Sequence, residues 1–270
     1  MKYKVKTGAV VLRSTEMEYA VFGEGKKNFV MLPGISLHSV ILSAGAVAAA
    51  YEEFGGEYTV YVFERLTDIP AGHTVADMAE DTAAAMQKLG IADAYVFGAS
   101  QGGMTAQILA ARYPQLVKKV ILGSTMLKED AFAEENFTAL AEAAAAGDIA
   151  ALNRAFFSMV YAEDYRKKYE TAFGILEKQG TKEEAARFLR EIEAMRGFDA
   201  TAEKNKIACP VLVIGDASDR VLSPSAFPAL AAYHNAELYM YDGFGHAVYD
   251  MAPDYKKRIM DFFHDPVGER

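Results

Sequence analysis

Ala94-Tyr95-Val96-Phe97-Gly98-Ala99-Ser100-Gln101-Gly102-Gly103-Met104 is the tract from which the chain is best read. An apolar run suited to a buried strand passes into Gly-x-Ser-x-Gly, and a helical pattern then continues to Tyr113-Pro114. A serine on so sharp a strand-to-helix turn has a strained backbone, and side chains two residues to either side would collide. Gly98 and Gly102 supply that room, and Gly103 lets the helix pack against its neighbour. The Ser100 hydroxyl then faces the positive end of the helix, where a developing negative charge is favoured. Serine also caps helices with no further role. A plain cap, however, needs neither the preceding strand nor glycine on both sides.

Outward from this turn, short runs rich in Val, Tyr and Phe alternate with longer helical patterns. Strands are expected at 5–12, 17–22, 28–32, 58–63, 94–97, 119–123, 211–215 and 237–241. The middle ones are almost continuously apolar, as parallel strands covered on both faces are. Helices are expected at 37–54, 75–89, 101–113, 225–234 and 254–263. Two or three strands followed by βαβα repetition predict an α/β fold: a mostly parallel, doubly wound sheet of about eight strands with an antiparallel start.

The eight prolines leave a gap, because none falls between Pro114 and Pro210. From about Leu127 to Lys206 there is no convincing strand but good helix punctuation. Gly147-Asp148 reads as a stop and an N-cap, Gly180-Thr181 with Glu184 as a stop and a capping box, and Gly197 as another stop. About four helices are expected there, too many for a simple crossover. The expected organisation is a core domain of residues 1–126 and 207–270 carrying a helical cap domain of residues 127–206.

Composition narrows the function classes. The chain has 270 residues, 51% of them hydrophobic and 24% charged, which excludes a disordered protein. A net charge of −9 repels phosphate backbones and anionic lipid, so neither nucleic acid nor membrane is an expected partner. The uncharged stretch 28–51 is long enough to span a bilayer, but Pro33-Gly34 breaks it and Ser36, His38, Ser39 and Ser43 make it polar. The apolar run 9–12 is too short for a secretory signal. One cysteine, Cys209, allows no disulfide framework and no cysteine-based zinc cluster. A cytoplasmic monomer or homodimer without metal or cofactor is the expectation.

A serine nucleophile needs a base, and the chain offers five histidines. His38 and His73 come early, His234 ends a helical pattern, and His264 sits in the polar tail. His246 lies in Tyr241-Asp242-Gly243-Phe244-Gly245-His246-Ala247, a glycine-rich loop after the last strand that can reach over the edge of the sheet. An orienting carboxylate should come from another strand end. The strand at 211–215 runs into Asp216-Ala217-Ser218-Asp219, of which Asp219 lies further into the loop and can swing toward His246. Asp216 remains the alternative, and either could simply form a turn.

The order Ser100, Asp219, His246 resembles the nucleophile–acid–histidine order of the α/β-hydrolases. The resemblance covers the whole chain. Phe29-Val30-Met31-Leu32-Pro33-Gly34-Ile35 is similar to that superfamily's oxyanion-loop strand, with Pro33-Gly34 where His-Gly is frequent. Cys209-Pro210-Val211-Leu212-Val213-Ile214-Gly215 is similar to the strand before the acid, with one residue more than the common Gly-x-x-Asp. The helical insertion stands where the family places its cap. Carried over by position, the resemblance implies an α/β-hydrolase fold and backbone N–H groups of Gln101 and Ile35 as oxyanion donors, each worth about 3 kcal/mol. It also implies a serine hydrolase of small-molecule carboxylic esters or related acyl substrates. Lactones, thioesters, C–C bonds beside a carbonyl and acyl transfer use the same constellation, and a non-catalytic binding protein on this fold is the rival from another class.

Several residues depart from other branches of the superfamily. The fold's dehalogenases and epoxide hydrolases carry Asp at the elbow, where this chain has Ser100. It has no tryptophan to bind halide, and Gln101 stands where proline iminopeptidases typically carry Trp. Neither a His-Glu-x-x-His metal site nor a Walker phosphate loop occurs. The insertion is aromatic, with Phe132, Phe137, Phe156, Phe157, Met159, Tyr161 and Phe173, most of them expected in its own core. A minority facing Ser100, with Phe156, Phe157 and Met126 as candidates, would line an apolar pocket. Ser36 and His38 could add a polar contact.

Overall fold

A computed structural model describes residues 2–13, 15–203 and 206–266. Eight strands form one sheet: β1 (Lys6–Leu12), β2 (Thr15–Phe22), β3 (Lys27–Leu32), β4 (Tyr58–Leu66), β5 (Ala94–Ala99), β6 (Val117–Gly123), β7 (Val211–Asp216) and β8 (Glu237–Tyr241). Their order in space is β1-β2-β4-β3-β5-β6-β7-β8. The β1–β2 and β2–β4 pairs are antiparallel, and every later pair is parallel. Helices α1 (Ala44–Ala50), α2 (Val75–Lys88), α3 (Gln101–Arg112), α9 (Ala226–His234), α10 (Val248–Met251) and α11 (Tyr255–His264) accompany the sheet. Val75, Met104 and Phe227 belong to one apolar cluster, whereas Ala48 and Ile259 belong to another. The sheet is therefore doubly wound. Both faces of β5 and β7 are buried, which is why their sequences are apolar without alternation.

All eight expected strands form, and the differences have local causes. β4 runs on past Phe63 because Glu64 and Arg65, which read as a strand end, are buried and neutralise one another within an ion network. The helix expected over 37–54 is only α1, flanked by 3-10 turns Val40–Ser43 and Glu52–Gly56. Ser39 caps the first turn, and the Val40 N–H is taken by Glu64 at 2.7 Å. His264, expected in a polar tail, instead ends α11 and lies 2.7 Å from Glu57.

Between β6 and β7, where about four helices are expected, the described residues form five α-helices: α4 (Ala131–Ala146), α5 (Ile149–Val160), α6 (Glu163–Lys168), α7 (Glu170–Leu176) and α8 (Lys182–Met195). The punctuation acts where the sequence placed it. Gly147 is left-handed, Asp148 caps α5, and Thr181 with Glu184 closes a reciprocal capping box on α8. The break between α6 and α7 falls at Tyr169 with no glycine or proline to announce it. The insertion leaves and rejoins the sheet side by side, because Ala200 N–H bonds Leu127 O and Glu129 N–H bonds Phe198 O. Lys204, Asn205 and residues 267–270, at the ends of the expected domains, lie outside the described residues. Among the described residues no helix is long and apolar enough to cross a membrane.

Lys119, in the middle of β6, is buried, and its ammonium bonds the carbonyls of Phe262 at 3.0 Å and Phe263 at 3.3 Å. These carbonyls are at the end of α11, which has no further turn to satisfy them, and a cation there also complements the helix dipole.

Candidate active site

Ser100 sits between β5 and α3 with φ 52° and ψ −119°, a left-handed backbone that non-glycine residues rarely adopt. The glycines around it are sterically required. A Cβ on Gly98 would stand 2.3 Å from Gly102 O, one on Gly102 1.9 Å from Leu32 O, and one on Gly103 2.6 Å from the Thr125 side chain. Backbone bonds pin the turn, since Ser100 N–H donates to Gly123 O at 2.8 Å and the Thr125 hydroxyl donates to Ser100 O at 2.8 Å. Strain held by so many contacts is typical of a functional position.

The imidazole of His246 lies with Nε2 3.0 Å from Ser100 Oγ and Nδ1 2.7 Å from Asp219 Oδ2. All three residues are buried. A carboxylate at Nδ1 fixes the tautomer that keeps the proton there, which leaves Nε2 free to accept from the serine hydroxyl. Asp219 is itself held by N–H groups of Val221 at 2.7 Å and Leu222 at 2.9 Å, both on Oδ1. Asp216 is turned to another task. Its two oxygens accept from Ser218 N–H at 2.7 Å and Phe244 N–H at 3.0 Å, which ties the loop after β7 to the loop carrying His246. The Ser124 hydroxyl donates to His246 O at 2.7 Å. The arrangement is one in which the serine proton can pass to an imidazole as the oxygen attacks a carbonyl.

Gly34 lies against this serine, for a Cβ there would be 3.1 Å from Ser100 Cβ. Ile35 follows in the same loop and lines the cleft at Ser100, and Gln101 begins α3 directly after the serine. The Gln101 side chain has a separate function: it accepts from Arg65 Nε at 3.0 Å and donates to Glu191 O at 2.8 Å. It thereby joins the turn to α8. Around it Glu64 meets Arg65 at 3.1 Å and Arg187 at 3.0 Å. Burial alone would raise the Glu64 carboxyl, but these two cations, with the N–H groups of Arg65 and Val40, hold it at about 2. Glu191 stands 2.9 Å from Arg187 as a charge contact without directed hydrogen bonding, and burial moves its carboxyl up.

Ser100 and His246 open onto a cleft of about 20 Å³ lined also by Phe137, Leu140, Val221 and Met195. Gly34, Ile35, Phe156, Val160 and Tyr249 line both this cleft and a second cavity of about 400 Å³. Ser36, His38, Phe156 and Phe157 all line the larger one. His38 is engaged there, with Nδ1 2.9 Å from Glu184 of α8, and its carbonyl accepts from the Ser36 hydroxyl at 2.5 Å. Met126 is placed elsewhere. It is buried in the core, its carbonyl accepts from Gln107 at 2.9 Å, and it lines neither cavity. The residue follows directly on the β6 turn and packs inward with the sheet. Sequence reasoning missed Tyr51, Tyr249 and Asp250 in the larger cavity. The one available signal was an acidic residue four positions after His246 in an otherwise apolar segment.

A family model described as alpha/beta hydrolase fold matches residues 48–253, most of the chain. The chain belongs to the α/β-hydrolase fold family. As an α/β-hydrolase, it is similar to a protein of Agrobacterium fabrum named "Putative carbamate hydrolase RutD", with 25% identity over 203 residues, 72% of this chain and 76% of that one. Two solved structures share its fold. One is MGS-M2, an alpha/beta hydrolase enzyme from a Medee basin deep-sea metagenome library, at TM-score 0.85 and 20% identity over 96% of this chain and 98% of that one. The other is the enol-lactonase from Burkholderia xenovorans LB400, at TM-score 0.82 and 22% identity over 96% of this chain and 100% of that one. Family and relatives together support hydrolysis as this α/β-hydrolase's chemistry.

Proposed function

We propose that the protein is a serine hydrolase that cleaves a carboxylic ester or related acyl substrate through an acyl-enzyme. Ser100 attacks the carbonyl; His246 takes its proton and returns it to the leaving group; Asp219 holds the imidazole. The backbone N–H groups of Gln101 and Ile35 receive the oxyanion, and water releases the acid by the same steps in reverse. The observation that carries this reading is the unbroken series of contacts from Ser100 Oγ through His246 to Asp219, beside a cavity large enough for an acyl or alkyl group. The relatives named for carbamate hydrolysis favour a carbamate as the second reading, since its carbonyl is open to the same attack.

A fluorophosphonate probe followed by mass spectrometry tests the nucleophile. Ser100 should carry the adduct, and Ser100→Ala should abolish it. Labelling that survives this substitution refutes the assignment. Parallel rates on p-nitrophenyl esters and the matching carbamates separate the two substrate readings.

A further inference from the structure

The larger cavity has an unusual electrical character. Of the described side chains that line it, Asp250 is the one carboxylate, and the His38 imidazole is already engaged by Glu184. Aromatic rings of Tyr51, Phe97, Phe157, Tyr161 and Tyr249 supply much of the remaining wall. Asp250 is exposed and lines the cavity, and among the described residues its carboxylate has no hydrogen-bond or ion-pair partner. The protein packed round it nevertheless withholds enough water to push the carboxyl up to about 6, although Lys256 pulls the other way.

The groups facing Asp250 come from several elements. Tyr51 precedes the 3-10 turn at Glu52–Gly56, Tyr161 and Tyr165 come from the insertion, Tyr249 from α10, and Tyr255 and Lys256 from α11. The five phenols are held protonated, chiefly by burial and further by the Asp250 charge. Among the described residues Lys256 is the one cation that acts on the carboxylate, and its ammonium lies 5.4 Å from the centre of the Tyr51 ring. That attraction does not restore the carboxyl to its ordinary value. A carboxylate short of countercharge, in a pocket lined by aromatic rings, has the chemistry that recognises an organic cation.

We infer that Asp250 is a specificity-determining residue which selects substrates carrying an ammonium group, seated against Asp250 and the tyrosine rings while the carbonyl reaches Ser100. The inference rests on the serine-hydrolase reading for its chemistry, but the binding of a cation does not depend on turnover. Selection requires the ionised carboxylate, so it holds above about 6 and fades as the pH falls through that value.

The test uses two pairs of esters matched in shape and different in charge. One pair places the cation in the alcohol, as 2-(trimethylammonio)ethyl butyrate against 3,3-dimethylbutyl butyrate. The other places it in the acyl group, as the p-nitrophenyl esters of 4-(trimethylammonio)butanoate and 5,5-dimethylhexanoate. In at least one pair kcat/KM should favour the cation roughly tenfold at pH 8. Asp250→Asn should bring the ratio close to one, Asp250→Glu should retain a preference, and so should the wild type until the pH is lowered past 6. Equal or reversed preference in both pairs, or a preference that survives Asp250→Asn, overturns the inference. Where no ester turns over, calorimetric titration with choline decides: binding to the wild type that weakens roughly tenfold in Asp250→Asn supports it, and absent or unchanged binding refutes it. Loss of fluorophosphonate labelling with choline binding intact would instead place the failure in the proposed chemistry.

Discussion

Asp216 ends β7 and Asp219 stands three positions later in the loop that follows, and the two differ wholly in what they hold. Asp219 presents one oxygen to His246 and the other to two backbone N–H groups, while Asp216 spends both oxygens on backbone donors that lace two loops together. Asp219→Asn should therefore lower kcat by about ten-thousandfold, by loss of the tautomer that lets the imidazole act as a base, with stability little changed. Asp216→Asn should show the reverse emphasis, about 1–3 kcal/mol of stability and a much smaller fall in kcat. Steady-state kinetics beside urea denaturation of each variant would check this, and equal kinetic losses would contradict the division. Reach along the loop made Asp219 the better candidate in the sequence. Asp250 was not legible in the same way, because no periodicity marks a carboxylate whose significance is the cavity that other segments build round it.

At the scale of the element, the elbow between β5 and α3 was readable because its demand is steric and local. Gly98, Gly102 and Gly103 answer to neighbours a few ångströms away, and no other residue type meets the demand. Gly102→Ala should cost about 3 kcal/mol, since the obstructing atom is backbone at Leu32 and cannot rotate aside. Gly45→Ala is the contrasting case. Gly45 lies exposed within α1 with nothing within 4 Å of an added Cβ, so alanine should raise stability by about 0.5–1 kcal/mol. Thermal melts of the two variants should move in opposite directions. Helices α6 and α7 show where local reading stops. They bury none of their residues, and the turn at Tyr169 carries no punctuation, so no pattern in the sequence marks two helices there.

Across the whole molecule, a mostly parallel, doubly wound sheet with an antiparallel start followed from strand composition and the spacing of helical patterns, whereas long-range charge pairing did not. Glu64 of β4 meets Arg187 of α8, 123 positions later, and no periodic signal links them. This pairing makes stability depend on acid. The Glu64 carboxyl lies near 2 in the folded chain against an ordinary 4.5, so its contribution, about 3 kcal/mol, is complete above 4.5 and drains away as the pH falls toward 2. Urea midpoints of wild type and Glu64→Gln should thus differ most at pH 7 and converge as the pH reaches about 2. A gap indifferent to pH would mean that charge is not its source.

Lys119 has a consequence for how the chain comes to be made. Its partners at Phe262 and Phe263 are 143 and 144 residues downstream, and a nascent chain leaves the ribosome with the ammonium long before them. Until α11 emerges, that charge must stay in water, and the middle of the sheet must remain ajar on one side. Helix α11 is thus the plug that lets the interior made before it seal, and a chain halted short of it stays open at its centre.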